Sequence, residues 1–170
     1  ASCLVGSEMC KETDVLALRN ANDGKSCKWG SRGINVNCDK NKTTGFNGYN
    51  STQTIIKYNK EKQSGQELQE AFPAAYYATI GYEAQYPAPD NTSGWFLPSG
   101  GQCQYWLNNR DVILRSIQNA GGDEWKDRYW SSSERSYSSE IIVHYLYMNR
   151  GKMDDEYKDR SNAVRSCLAF

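Results

Sequence analysis

Gly94-Trp95-Phe96-Leu97-Pro98-Ser99-Gly100-Gly101-Gln102 is the stretch with the clearest local grammar in the chain. Gly94 to Leu97 is short and apolar and reads as a strand. Pro98 has no N–H to give a ladder and ends it. Ser99 with Gln102 three residues later has the spacing of a capping box, so a helix is predicted to start here. Trp106, Leu107, Val112, Ile113, Leu114 and Ile117 supply its apolar face, and Asn108-Asn109 should break it into two pieces. Gly121-Gly122 then reads as a helix stop. A strand, a helix closed by Gly-Gly and then several short strands predict an α+β fold with antiparallel sheets, not a doubly wound α/β fold.

Downstream, Tyr145-Leu146-Tyr147-Met148 alternates with a period of two. Leu146 and Met148 are expected to face the core and Tyr145 and Tyr147 to face out. Asn149-Arg150-Gly151 reads as a turn, and Met153 returns inward. Asp155 to Asn162 looks too polar for a buried strand, and Val164, Leu168 and Phe170 close the domain. Upstream, Asn50-Ser51-Thr52 offers an N-cap for a helix over Gln53 to Tyr58. A second helical stretch is expected from Gln66 to Thr79, with Pro73 interrupting it or starting a new turn. Tyr82 to Ser93 reads as a loop. Residues 1–44 form a Cys-rich N-terminal elaboration of turns and short strands on a single domain spanning 1–170.

The bulk properties narrow the function. Twenty Lys and Arg balance twenty Asp and Glu, so the formal net charge is zero. Binding dominated by phosphate neutralisation, and with it nucleic acid, is not expected. No apolar run approaches the ~20 residues that span a bilayer. Ala1-Ser2-Cys3 has neither the basic start nor the apolar stretch of a signal peptide, so none is expected within the sequence. Six cysteines (3, 10, 27, 38, 103 and 167) with no Cys-x-x-Cys pair and one histidine, His144, point away from zinc. An even count without metal spacing favours disulfides and an oxidising compartment. Spacing leaves fifteen pairings open, of which Cys27–Cys38 is the simplest.

One stretch does not read as core. Tyr145, Tyr147, Asn149, Arg150, Lys152, Asp154, Asp155, Glu156, Tyr157, Asp159 and Arg160 crowd aromatic and charged groups together, with Arg135 and Tyr137 just before them. Residues 128–160 hold six basic and six acidic groups, which a solvated hairpin would also show. They also hold five of the chain's twelve tyrosines, which mere solubility does not require. Tyr offers a large contact area and a hydrogen-bonding tip at low entropy cost, so these residues are the candidate binding face. Asp154-Asp155-Glu156 with Asp159 could hold a hard cation, but Arg150, Lys152, Lys158 and Arg160 beside them are expected to neutralise them, so no metal or other cofactor is expected. No enzyme is expected either. Trp130-Ser131-Ser132-Ser133-Glu134 lacks a Gly-x-Ser-x-Gly elbow, and His144 reads as an inward strand residue, so the serines should hold loop backbone.

The order Gly94–Gln102, Gly121-Gly122, Tyr129-Trp130-Ser131-Ser132-Ser133-Glu134 and Asn162-Ala163-Val164-Arg165-Ser166-Cys167-Leu168-Ala169-Phe170 resembles C-type lectin fold domains of the formylglycine-generating-enzyme branch. With Gly45 to Thr52 and Phe72 to Ala75, the resemblance covers residues 45–170. Within 129–170, Leu146-x-Met148-x-x-Gly151-x-Met153-x-x-x-x-Lys158-x-x-Ser161-Asn162-Ala163-Val164-Arg165 resembles the variable protein of a diversity-generating retroelement. The resemblance implies short helices on small antiparallel sheets and a diversified Tyr-rich face. That face would bind a protein or glycan receptor, from a location that is extracellular, at the cell surface or on a phage virion. Cys103 and Cys167 stand where that family more often has other residues, which hints that the two bond to each other. The alternative is a structural tip or decoration subunit of a pilus or phage fibre, with the same face packed on a partner subunit.

Overall fold

The computed structural model describes residues 14–170. Cys3 and Cys10 lie outside the described residues. The chain runs β1 (Asp14–Leu16), β2 (Cys27–Lys28), α1 (Gly48–Lys62), α2 (Leu68–Ala71), α3 (Pro73–Ala78), α4 (Ile80–Glu83), α5 (Gly100–Asn108), α6 (Arg110–Asn119), β3 (Arg128–Glu134), β4 (Ile142–Tyr147), β5 (Lys152–Tyr157), β6 (Ser161–Asn162) and β7 (Cys167–Ala169). Three small open antiparallel sheets result: β1 on β7, β2 on β6, and β3-β4-β5 with β4 in the middle. The described residues thus form short helices around separate two- and three-stranded ladders, not the C-type lectin scaffold that the resemblance implied.

The Ser99 unit folds as its sequence dictates. Gln102 N–H donates to Ser99 Oγ at 3.3 Å, and Ser99 N–H donates to Gln102 Oε1 at 2.8 Å. Both ends of the capping box are therefore made. The helix divides between Asn108 and Arg110, and Gly121 leaves with φ +68°, a conformation that favours glycine. Gly94 to Leu97 is not a full strand; Phe96 forms a single antiparallel bridge to Cys167. Helix α1 is longer than its cap residues suggested. It starts at Gly48, and Thr52 sits inside it, donating to Gly48 O at 2.8 Å and accepting Leu97 N–H at 3.1 Å. Pro73 opens α3 at the position where its missing N–H costs nothing. On α6, Ile117 is buried but Val112 is exposed, so the inward face is narrower than its apolar residues implied.

The central sheet is covered on both faces, and this explains two corrections. Trp130, Val143 and Tyr145 pack into one core with Trp29, Ile55, Phe72 and Leu97. Tyr129, Leu146, Met148 and Met153 pack into another with Phe96, Cys103, Trp106 and Cys167. Leu146 and Met148 face inward, but Tyr145 is also buried, at 4% exposure, with its ring edge-on to Trp130 at 6.4 Å. Alternation is real, yet the second face meets protein instead of water.

The second correction concerns the stretch expected to be too polar for burial. Lys158 and Glu134 are wholly buried, with Lys158 Nζ 2.6 Å from Glu134 Oε1. Glu134 also accepts the backbone N–H groups of Val36 and Cys38 at 3.0 and 2.9 Å. Lys158 donates to Ile34 O at 2.6 Å. Arg165, likewise buried, donates to Ala17 O at 2.9 Å and Leu18 O at 2.6 Å. The N-terminal segment has little apolar content of its own. Buried charges from the C-terminal third satisfy its backbone and hold it down.

Cys27, Cys38, Cys103 and Cys167 are free thiols, correcting both expected disulfides. The Cys38 thiol instead donates to Ser51 O at 3.6 Å. Cys103 and Cys167 fill space in the second core as small apolar groups.

Candidate functional site

The β4–β5 hairpin gathers most of the candidate residues but divides them. Register pairs Tyr147 with Lys152, Tyr145 with Asp154 and Val143 with Glu156 on one face, and His144 with Asp155 and Ile142 with Tyr157 on the other. The gathered set is therefore two patches, one on each side of β5.

On the first side, Tyr147 is half-buried under two guanidiniums. Arg128 lies 4.7 Å from its ring centroid and Arg150 5.4 Å. Arg128 Nη2 donates to the Tyr147 hydroxyl at 3.4 Å, and the Tyr145 ring lies 5.8 Å away, tilted by 36°. The carboxylates nearby are held by cations: Lys152 reaches Asp154 at 2.7 Å, and Arg128 stands 3.9 Å from Glu156. The hydrogen bond from Lys152 keeps the Asp154 carboxyl below the usual carboxylate range.

On the second side, Asp155 is the hub. His144 Nδ1 lies 2.7 Å from its Oδ1, Lys42 Nζ 2.9 Å from the same oxygen, and Arg135 Nε 3.3 Å from Oδ2. Burial alone would raise the Asp155 carboxyl, but Lys42 and His144 outweigh it and hold the group low. Arg135 lies 4.1 Å over the Tyr137 ring and donates to its hydroxyl at 2.7 Å. Arg32 lies 4.0 Å over Tyr157 and 2.7 Å from Asp159. A shallow depression of about 180 Å³ is lined by Arg135, Ile142, Asp155, Glu156 and Tyr157. Asn149 and Arg160 are exposed at the two turns.

These acids each face a cation, so they are poor ligands for a hard metal ion. Among the described residues no cluster of three or more His, Cys, Asp or Glu is placed to hold one. The serine cluster acts on backbone: Ser131 Oγ donates to His144 O at 2.7 Å, and Ser133 Oγ accepts Gly100 N–H at 3.0 Å. Arg32, Lys42 and Arg128 belong to the site, but sequence reasoning missed them. Arg128 opens the strand that pairs with β4, so its neighbourhood was open to inference. Arg32 and Lys42 lie in aperiodic, polar sequence with no signal.

No family model matches the chain. Its sequence is 29% identical over 114 residues to a protein of Bacteroides ovatus described as a candidate fimbrium tip subunit, Fim1C; the match covers 63% of this chain and 20% of that protein. The fold superposes on the crystal structure of a fimbrial protein from Bacteroides ovatus with a TM-score of 0.67 and 21% identity, over 92% of this chain and 35% of the other. The chain thus spans about a fifth of the length of the curated relative it matches. These likenesses correct the resemblance read from the motifs. The fold is one a fimbrial protein uses, and neither the C-type lectin assignment nor the retroelement-diversified adhesin built on it stands.

Proposed function

We propose that the chain is a structural, tip-type module of a surface fimbria, and that its β4–β5 hairpin packs against a neighbouring subunit. The observation that carries this is the likeness to a fimbrial protein across 92% of the chain, together with sequence similarity to a fimbrium tip subunit. The module is non-catalytic and works outside the cell, at its surface. No helix among the described residues is long and apolar enough to cross a membrane.

The hairpin suits packing between subunits. Tyr147, Tyr157 and Tyr137 are each stacked with an arginine and so are ordered before a partner arrives, which lowers the entropy cost of association. Tyr and Arg are also the residues that most often carry interface energy. Arg135, Tyr137, Tyr147, Arg150, Glu156, Tyr157 and Asp159 are the proposed contacts. A receptor on the same face belonged to the diversified-adhesin reading and falls with it.

The test is incorporation into fibres on cells that express the whole fimbrial operon. Tyr147→Ala with Tyr157→Ala should cut incorporation at least tenfold while the purified module stays folded. Unchanged incorporation would overturn the assignment of this face.

A further inference from the structure

β1, the segment before α1 and helices α5 and α6 border a cavity of about 190 Å³. Leu16, Phe46, Tyr105, Trp106 and Ile113 give it a largely aromatic wall, and Asp14 sets a carboxylate into that wall. The volume lies below the ~300–1,000 Å³ of sites that take drug-sized ligands. Its occupant is therefore small, on the scale of one side chain or a free amine. Two features mark the cavity as built. The first is how its groups are held. Gln102 is buried, and its Oε1 accepts the Ser99 N–H at 2.8 Å. Its Nε2 donates to Asp14 Oδ2, so the capping box that starts α5 also orients the carboxylate. Phe46 and Tyr105 meet edge-on with centroids 6.4 Å apart, and Trp106 meets Trp125 edge-on at 6.2 Å.

The second feature is a charge without a counter-charge. Asp14 has no ion-pair partner among the described residues, and Gln102 offers it only a neutral donor. Burial raises the Asp14 carboxyl above its ordinary value, and the Gln102 hydrogen bond only partly offsets this. Asp154 and Asp159, by contrast, are held low by Lys152 and Arg32. A carboxylate taken partly out of water favours any cation that can reach it. Carboxyls perturbed in this way gather at binding sites.

We infer that this cavity binds an alkylammonium group. The ammonium would pair with Asp14, and its methylene or methyl carbons would lie on Leu16, Ile113 and the rings of Tyr105 and Trp106. Aromatic faces attract such cations. Asp14 repels an anion. A hard metal ion takes about six or more oxygens. Here Asp14 is the one carboxylate in the wall, and the Gln102 side-chain oxygen is already taken by Ser99. A lysine side chain and a free quaternary amine both present the required chemistry. None of the lining residues is among the proposed subunit contacts, so the cavity does not depend on the hairpin's role.

The experiment titrates the whole chain with N-acetyl-lysine methylamide and with tetramethylammonium at constant ionic strength, read by calorimetry and tryptophan emission. At least one should bind saturably. Saturation by the lysine derivative alone assigns a presented lysine side chain, and saturation by tetramethylammonium alone assigns a free quaternary amine. N-acetyl-norleucine methylamide has the carbons without the charge and should bind at least tenfold more weakly than the amine that saturates. Asp14→Asn keeps the shape and an oxygen for Gln102, removes the charge, and should weaken binding at least tenfold. Tyr105→Leu, at an exposed position, should weaken it as well and covers the case in which the Asp14 variant does not fold. Absence of saturable binding by either amine overturns the proposal. So does equal binding of the neutral analogue, or binding unchanged in the variants that fold.

Discussion

Lys158 Nζ lies 2.6 Å from Glu134 Oε1, and neither side chain reaches solvent. Burial pulls the Lys158 ammonium below its usual range even though the Glu134 charge pushes the other way, so desolvation outweighs the attraction. The pair is therefore a fastening for residues 34–38 more than a source of net stability. Removing one partner leaves the other charge buried and alone. Lys158→Met should cost about 3–5 kcal/mol, measured by urea unfolding. Adding Glu134→Gln should recover part of that loss, because Gln can still accept from Val36 or Cys38 without carrying charge. A single variant that unfolds like the parent would refute the fastening.

Tyr145 and Tyr147 are two residues apart but should behave differently. Tyr145 is a core residue beside Trp130. Tyr145→Ala should destabilise by about 3–5 kcal/mol, the range for large aromatic truncations in a core. Tyr157→Ala should stay within about 1 kcal/mol, since it loses solvent-facing stacking with Arg32, and Tyr147→Ala, at the half-buried margin of the same core, should cost less than Tyr145→Ala. Thermal melts of the three variants decide it. Equal losses at 145 and 147 would mean that Tyr147 belongs to the core as fully as Tyr145 does.

How far the sequence could be read follows from the range of each interaction. The Ser99–Gln102 box and the Asn108–Arg110 break were legible because their causes lie within a few residues. The alternation of β4 was legible too. The burial of Tyr145 was not, because it depends on Trp130, Trp29 and Phe72 reaching the same core from distant segments. Lys158 and Glu134 read as surface by residue type, and only the wrapping of residues 34–38 reverses that. The short motifs misled most. Gly94 to Gln102 describes a bridge, a cap and a helix start, a unit whose causes all lie within nine residues, so its resemblance to a lectin motif could not choose the fold.

Asp155 makes stability depend on acid. Its carboxyl is held below its ordinary value of about 3.9 by Lys42 and His144 against the opposing effect of burial. A depressed folded value means the contribution is complete above the unfolded value. It is lost as pH falls through the folded one. The melting temperature should therefore drop as the solution is acidified below the ordinary carboxylate range, and Asp155→Asn should flatten that slope. An unchanged acid limb in the variant would remove Asp155 from the account.

The four described cysteines should be slow to react while the protein is folded. Burial pushes the Cys27 thiol up to about 12 and raises Cys38, Cys103 and Cys167 as well, which leaves little thiolate at neutral pH. Iodoacetamide labelling followed by peptide mapping should mark these positions only after denaturation, without prior reduction. A mass shift showing any of the four linked would contradict the free-thiol arrangement.

Gly101 sets two effects against each other. Near a helix start, replacing glycine by alanine reduces backbone freedom in the unfolded chain and gains up to ~1 kcal/mol. At Gly101, however, a Cβ would run into Gly45 O and stand 2.7 Å from the Gly45 carbonyl carbon, where the residue 41–45 loop crosses the start of α5. The neighbour is backbone and cannot swing aside. Overpacking of this kind costs about 1–3 kcal/mol, so the contact should prevail and Gly101→Ala should lower stability. At Gly65 a Cβ would meet nothing within 4 Å, and φ there is not positive, so Gly65→Ala should be neutral or slightly stabilising. Chemical denaturation of the two variants side by side separates the two effects, and a stabilised Gly101→Ala would mean that the loop does not lie on the helix.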